Sequence, residues 1–296
     1  MAARLSAAKI SAKQARNIGE QSLKWAMRIV TYLIVIIVAY IILDIIIKGI
    51  PAINWDFLTG MPKRGGREGG ILPAILGTLL LVVGAVVVAL PLGMMTAIYL
   101  SEYARKNRFT KAIRLAIITL AGVPSIVFGL FGLGLFVIFM KFGLSVWAGA
   151  FTLACMILPT IIVASEEALQ AVPQGLREAS FALGASKWQT IRKNVLPYSI
   201  SGMITGSILG IGRAAGETAP ILFTAAAAYL PFIPKGMSSQ VMALPYHLFV
   251  LSVQYPQSEE VNLMKYGTAL TLIALVLGIN LIAIILRIRA RRRVKW

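Results

Sequence analysis

Two residues of opposite charge, Arg213 and Glu217, stand four positions apart in the stretch GRAAGETAPILFTA (212–225), within one of the most apolar parts of the chain. A charge near the centre of a bilayer costs about 2.5–3.5 kcal/mol even on the gentler insertion scales, so such a pair needs a use or a neutraliser. On an α-helix, positions four apart share a face and the side chains can touch. Three chemistries fit. The pair can neutralise itself and lock helix packing. Arginine's planar fork can bind an oxyanion two bonds at a time. Or the pair can do both, with Glu217 holding Arg213 while the path is empty and an anion displacing or sharing the arginine in passage. The last is favoured, because it never strands a buried charge and keeps binding weak enough for release. Thr218 and Ser207 are nearby hydroxyl donors that can assist.

Other chemistry is poorly supplied. The phosphate-cradling pattern G-x-x-x-x-G-K-[ST] is absent, and GLREASFALGASKW has glycines and a lysine at the wrong spacing. One histidine, His247, and one cysteine, Cys155, cannot build a metal cluster or a disulfide framework, and both read as packing or interface residues. With no Ser/His/Asp set and few carboxylates, the expectation is that the chain is not an enzyme by itself and binds no cofactor of its own.

The elements that must position the pair follow from composition. Of 296 residues 58% are hydrophobic and only 14% charged, and mean hydropathy is +0.81. Soluble domains carry about 25% charged residues, so this is a polytopic membrane protein. A crossing helix needs about 20 mainly apolar residues. Runs of that kind occur at Met27–Ile47, Ile71–Leu100, Ala112–Met140, Leu144–Ala164, Tyr198–Leu230 and Tyr266–Leu286, which predicts an all-α protein of six transmembrane helices. Asp44, near the end of the first run, reads as an interfacial residue. The Pro/Gly-rich stretch ending at Gly70 reads as a loop. Pro124 predicts a break in the third run, either a structural kink or a lining of the path. Gly202, Gly206 and Gly210, at four-residue spacing, predict that the helix bearing Arg213 is packed against protein rather than lipid.

Charge distribution sets the expected topology. The formal net charge is +18, but 21 of the 29 Lys and Arg residues lie in the tails and alternate connections that share one side, and 7 lie on the other. By the positive-inside rule both termini are expected in the cytoplasm. A polar tail precedes the first apolar run, which argues against a cleavable signal peptide. That basic tail is expected to lie along the inner membrane surface rather than to bind nucleic acid. The outer segment Pro231–Lys265 is long and partly apolar, notably in QVMALPYHLFVLSVQYP, which is too short and proline-broken to cross. It is expected to lie in the outer interface, with Tyr246 and Tyr255 at headgroup level. The chain divides into a basic tail (1–26), a first span and external loop (27–70), a transmembrane core (71–287) with a connecting loop at about 166–197, and a basic tail (288–296).

The longest inner connection, SEEALQAVPQGLREASFALGASKWQTIRKNVLP, has helical character around Gly175–Leu183 and then an amphipathic piece with Trp188, Ile191 and Val195. Its part REASFALGASKWQTIRKNVLP resembles the EAA loop of ABC-importer permeases. Glu178, Ala179, Gly184, Leu196 and Pro197 match that pattern, Ser180 replaces its third small residue, and Asn194 stands where it has isoleucine. Together with GGILPAILGTLLL and GVPSIVFGLFGLG, the Arg213/Glu217 stretch resembles the phosphate-importer branch of the same family, over about Gly69 to Arg287.

The resemblance implies a type I ABC importer permease fold in a prokaryotic plasma membrane. It further implies that Arg213, Glu217 and Thr218 line a phosphate path. Glu178, Ala179, Ser180, Gly184, Leu196 and Pro197 would couple to an ATP-binding subunit. Implied partners are a second, PstC-like permease, a PstB-like ATP-binding dimer that carries ATP and magnesium, and a PstS-like external phosphate-binding protein. A permease for sulfate or molybdate, a secondary transporter independent of ATP, and a membrane scaffold are the alternatives.

Overall fold

A computed structural model of the chain describes residues 2–105 and 107–293. Lys106 and Lys295, counted among the inside basic residues, lie outside that range. The first helix, α1 (Ala2–Gly49), contains the expected first span, and the basic tail continues it as one helix. A short turn at Ile50–Ala52 leads to α2 (Trp55–Thr59), capped where the Asn54 side chain accepts from the Phe57 amide at 2.7 Å. A small hairpin follows, β1 (Pro62–Lys63) antiparallel to β2 (Glu68–Gly69). The stretch read as loop is therefore partly ordered by a cap and a two-residue ladder.

Next come α3 (Leu72–Ile98), which ends in a π-helical turn at Tyr99–Tyr103, then α4 (Arg108–Ala121) and α5 (Ser125–Gly132), which is extended by a π-helical stretch at Leu133–Phe139. The third run, expected as one span with a break at Pro124, is two helices meeting at 103°. Pro124 offers no N–H and drives Val123 out of the helical region, so α4 stops and α5 starts afresh. With 14 residues, α4 is about 21 Å long, too short to cross alone. Among the described residues five helices are long and apolar enough to cross, or six if the bent pair counts as one span.

The centre of the bundle is α6 (Val146–Gln170), of whose most apolar stretch 67% is buried, against 0% for α1. Leu153, Ile157 and Ile161 of α6 are fully enclosed by α3 and by α9 (Leu196–Gly216). The glycine stripe of α9 works as its spacing predicts. A Cβ on Gly202, Gly206 or Gly210 would press into Ala168, Ala164 or Ile161 of α6. Between α6 and α9 lie α7 (Gln174–Ala182) and α8 (Lys187–Thr190), the latter joined to α9 through a π-helical turn at Ile191–Val195.

The fifth run departs from expectation at its far end. Helix α9 stops at Gly216 instead of continuing to Leu230, and only the single turn α10 (Ala219–Leu222) follows before irregular chain. Pro220 is the physical reason, since its ring clashes with the carbonyl four residues back and it has no N–H to give. Irregular backbone at such a place must find protein partners. It does. Val241 N donates to Ala225 O (3.1 Å) and Ala227 N to Val241 O (2.8 Å). The first amides of α6 donate outward, Ser145 N to Thr224 O, Val146 N to Ser239 O and Trp147 N to Met237 O, each at 3.0 Å.

A second correction concerns α11 (Leu244–Val253), expected in the outer interface. It is buried instead. Leu244 and Leu251 have no exposed surface, Tyr246 sits in the core beside α3 and α6, and the Leu244 amide donates to Thr78 Oγ1 at 2.9 Å. Tyr255 is half-buried, donates to Gly65 O at 2.8 Å and lies 4.2 Å beneath the Arg67 guanidinium. His247 is 2% exposed under the hairpin, where Gly66 (φ 88°) leaves room for its ring, and neither ring nitrogen has a partner among the described residues. Helix α12 (Glu259–Arg293) closes the fold on α9, α11 and the end of α1.

Candidate functional site

Arg213 occupies the last turn of α9, and Glu217 is the extended residue that ends it. A helix C-terminus carries partial negative charge on its free carbonyls, so a cation there is favoured. Glu217 adds a full charge. Arg213 Nε donates to Glu217 Oε1 at 3.2 Å, as the four-residue spacing foretold, although one partner lies past the helix end. The two sides of the pair differ. The arginine side chain is 37% exposed and the carboxylate 19%. Behind Glu217, residues Thr78, Leu153, Ala214 and Pro245 border a void of about 10 Å³, room for no more than one water. Among the described residues neither Nη atom of Arg213 has a hydrogen-bond partner. The arginine is thus held by one nitrogen, with the forked end open.

Depth follows from helix rise. Asn280 of α12 fits against Gly212, where a Cβ would meet its amide at 3.1 Å. Asn280 lies about 21 Å along α12 from Tyr266, whose ring carries Lys48, itself 2.6 Å from Asp44. The pair therefore sits well inside the span, and Asp44 stands at a charged belt. Thr218 stands next to Glu217, half-buried, with no side-chain bond that caps α10. Ser207 does not join them. It is buried and donates to Met203 O at 2.9 Å, within its own helix.

The corner of the third run closes one flank of this region. A Cβ on Gly129 of α5 would strike Ala219 O and Pro220, so α5 and α10 touch backbone to backbone. Pro124 thus turns a half-length helix toward the break beside Glu217.

The segment of α7 and α8 is the second candidate. Helix α7 ends at Gly184 (φ 79°), a conformation that favours glycine, and α8 opens with a reciprocal cap between Ser186 and Gln189. Glu178, Ala179 and Gly184 are exposed, Leu196 and Pro197 are half-buried where α9 begins, and Ser180 points inward. The two departures from the loop pattern prove to be one. Asn194 Nδ2 donates to Ser180 Oγ at 3.0 Å, and that oxygen lies 2.9 Å from Thr190 Oγ1. Apolar groups are exposed at the tip, Leu183 at 89%, Trp188 at 54% and Phe181 at 48%; Trp188 belongs to the amphipathic piece expected from the sequence, and Phe181 and Leu183 enlarge the exposed apolar face beyond it.

Sequence reasoning also missed two partly buried ion pairs near this segment. Arg114 of α4 meets Glu166 of α6 at 2.6 Å and donates to Leu100 O. Arg177 of α7 meets Glu102 at 2.9 Å and donates to Val172 O (2.7 Å) and Leu169 O (2.9 Å). The available signal was scarcity. With 11 acidic residues against 29 basic ones, an acid at the end of an apolar run needs a partner.

Comparison with known proteins gives a consistent result. Residues 89–296 match the family described as binding-protein-dependent transport system inner membrane component. The chain is 36% identical to the phosphate transport system permease protein PstA of Haemophilus influenzae, over 81% of this chain and 84% of that one. It is 39% identical to the phosphate transport system permease protein PstA 1 of Mycobacterium tuberculosis, over 76% and 73%. In fold it resembles an inward-facing structure of the MetNI methionine ABC transporter, with a TM-score of 0.59 at 17% identity, covering 75% of this chain and 94% of the other.

Proposed function

The chain belongs to the family of binding-protein-dependent transport system inner membrane components, and from that premise we propose how it works as the permease subunit of an ATP-driven phosphate importer. The observation that carries the reading is Arg213, held at Nε by Glu217 with its Nη fork open inside the span. A guanidinium presents a planar pair of donors that matches two oxygens of a phosphate. Phosphate takes the open fork while Glu217 keeps the arginine oriented and compensated. Thr218 adds a hydroxyl at the helix break. As the anion leaves, the pair neutralises itself again, so no bare charge is stranded in the span.

Glu178, Ala179 and Gly184, with the exposed Phe181, Leu183 and Trp188, dock on an ATP-binding subunit dimer, PstB-like. Ser180, Leu196 and Pro197 fix that surface to α9. ATP and magnesium belong to that partner, and this chain performs no catalysis of its own. A second, PstC-like permease completes the path, and a PstS-like external protein delivers phosphate to the end that carries the hairpin. Both termini are cytoplasmic, in keeping with the basic residues of the tails.

The test is ATP-dependent phosphate uptake by the reconstituted complex, with wild type beside Arg213→Gln and Glu217→Gln and with assembly measured for each. Assembled variants that hydrolyse ATP but take up no phosphate support the reading. Uptake retained in both reduces the pair to a packing device. A wild-type complex that carries sulfate or molybdate and not phosphate overturns the substrate.

A further inference from the structure

We propose that Arg177 is a positioning residue that locks the angle between α6 and α7 and so delivers movement of α7 to α6 and α3. The proposal rests on the reading of α7 as the docking element for an ATP-binding subunit. Only Ala171, Val172 and Pro173 separate the two helices. A joint of that length, with a proline in it, bends freely unless something holds it, and a bending joint absorbs displacement instead of passing it on.

One guanidinium holds this joint from three sides. It donates to Leu169 O in the last turn of α6 and to Val172 O just past its end, where a cation is favoured. It also meets Glu102 Oε1 at 2.9 Å, in the π-helical turn that ends α3, 75 residues away in sequence. The pair is well enclosed, with the arginine side chain 19% exposed and the carboxylate 9%. Ser101 Oγ also donates to Glu102 Oε1, at 3.4 Å, and apolar residues surround the joint. Leu169 and Val172 are buried with Leu100 and Val195 in one cluster at this end of the bundle.

Two further features make the unit stiff. Ser180, Thr190 and Asn194 join α7 to the start of α9 by side-chain bonds. Beyond the joint, α3 and α6 supply Thr78, Leu81, Val82 and Leu153 to the wall behind Glu217. A displacement of α7 carried by Arg177 therefore reaches the two helices that back the anion pair.

The experiment measures phosphate uptake and ATP hydrolysis together in the reconstituted complex, for wild type, Arg177→Lys and Glu102→Gln, each corrected for assembled complex. Arg177→Lys keeps a cation that reaches Glu102 or a carbonyl but not all three acceptors. Glu102→Gln keeps the shape and an acceptor oxygen. The expected result is ATP hydrolysis within about twofold of wild type and phosphate delivered per ATP at least fivefold lower. A merely structural role lowers both activities in step with assembly and leaves the ratio unchanged, which overturns the proposal. Failure of wild type to take up phosphate overturns the permease reading first, and this inference with it. Wild-type uptake with an unchanged ratio in the variants overturns this inference alone.

Discussion

Two arginines of this chain stand in opposite conditions. Arg177 is spent on three acceptors, the Leu169 carbonyl of α6, the Val172 carbonyl of the joint and the Glu102 carboxylate, beside an apolar cluster. Arg213 is spent on one, its Nε on Glu217, with the forked end unused and the side chain 37% exposed. Both sit at the end of a helix, where carbonyls favour a cation. The difference lies in what is left over. A fully used guanidinium can only hold its neighbours together, and a half-used one has donors to offer to something that comes and goes. His247, buried with no partner on either nitrogen among the described residues, marks the far end of the same scale.

The comparison breaks most visibly if Arg177 is removed at little cost. Arg177→Ala leaves Glu102 enclosed and unpaired, so the thermal midpoint of the purified complex should fall by the equivalent of about 3–5 kcal/mol, and Glu102→Gln in the same chain should recover part of it. Arg213→Gln should do the reverse. Uptake should fall roughly 100-fold, while stability falls by less than in Arg177→Ala because Glu217 is less enclosed than Glu102. Arg213→Lys, which keeps the charge and loses the fork, should fall between the two in transport.

A smaller effect tests the unpartnered group. Burial lowers the His247 imidazole to about 4, against about 6.5 for a free one. The folded protein keeps it neutral while the unfolded chain takes a proton below about 6.5. Its stability contribution is therefore complete above that pH and is lost as pH falls toward 4. Between pH 7 and pH 5 the loss should be about 2 kcal/mol, read as a falling thermal midpoint, and His247→Leu should flatten that slope. The smallest effect concerns Ser180 and Asn194. Ser180→Ala should cost about 1–2 kcal/mol in the same thermal assay by leaving the Asn194 amide without an acceptor. Ser180→Ala with Asn194→Ile, which restores the pattern of the family, should lie within about 0.5 kcal/mol of wild type.

Much of this was legible in the sequence because lipid imposes a simple length rule. The long apolar runs became helices, and the glycine stripe of α9 met α6 as its spacing required. The Arg213–Glu217 contact was legible from a spacing of four. What stayed hidden was whatever composition leaves ambiguous. The apolar run of α11 has the same letters whether it floats in an interface or fills a core, and only the tertiary fold buried it. The end of α9 had a visible cause in Pro220, but the apolar residues on both sides masked it. The corner at Pro124 was expected, and its 103° was not, because a proline permits a break without fixing its angle. Arg177 and Glu102 lie too far apart in the chain for any local pattern to join them.

The π-helical turn at Ile191–Val195 sets a phase. Such a turn is a helix with one residue more than its path needs, and each residue advances a helix by about 100°. Deleting a single residue there would leave an unbroken α-helix of nearly the same length, yet it would rotate α8 by more than a quarter turn about that helix axis, relative to α7, which Arg177 holds on α6. Thr190 would swing away from Ser180, and Trp188 would leave the exposed face it shares with Phe181 and Leu183, with every helix still intact. At this π-helical turn the chain thus keeps a slight over-length, and the bearing of the exposed apolar face of α8 relative to the span depends on that supernumerary residue.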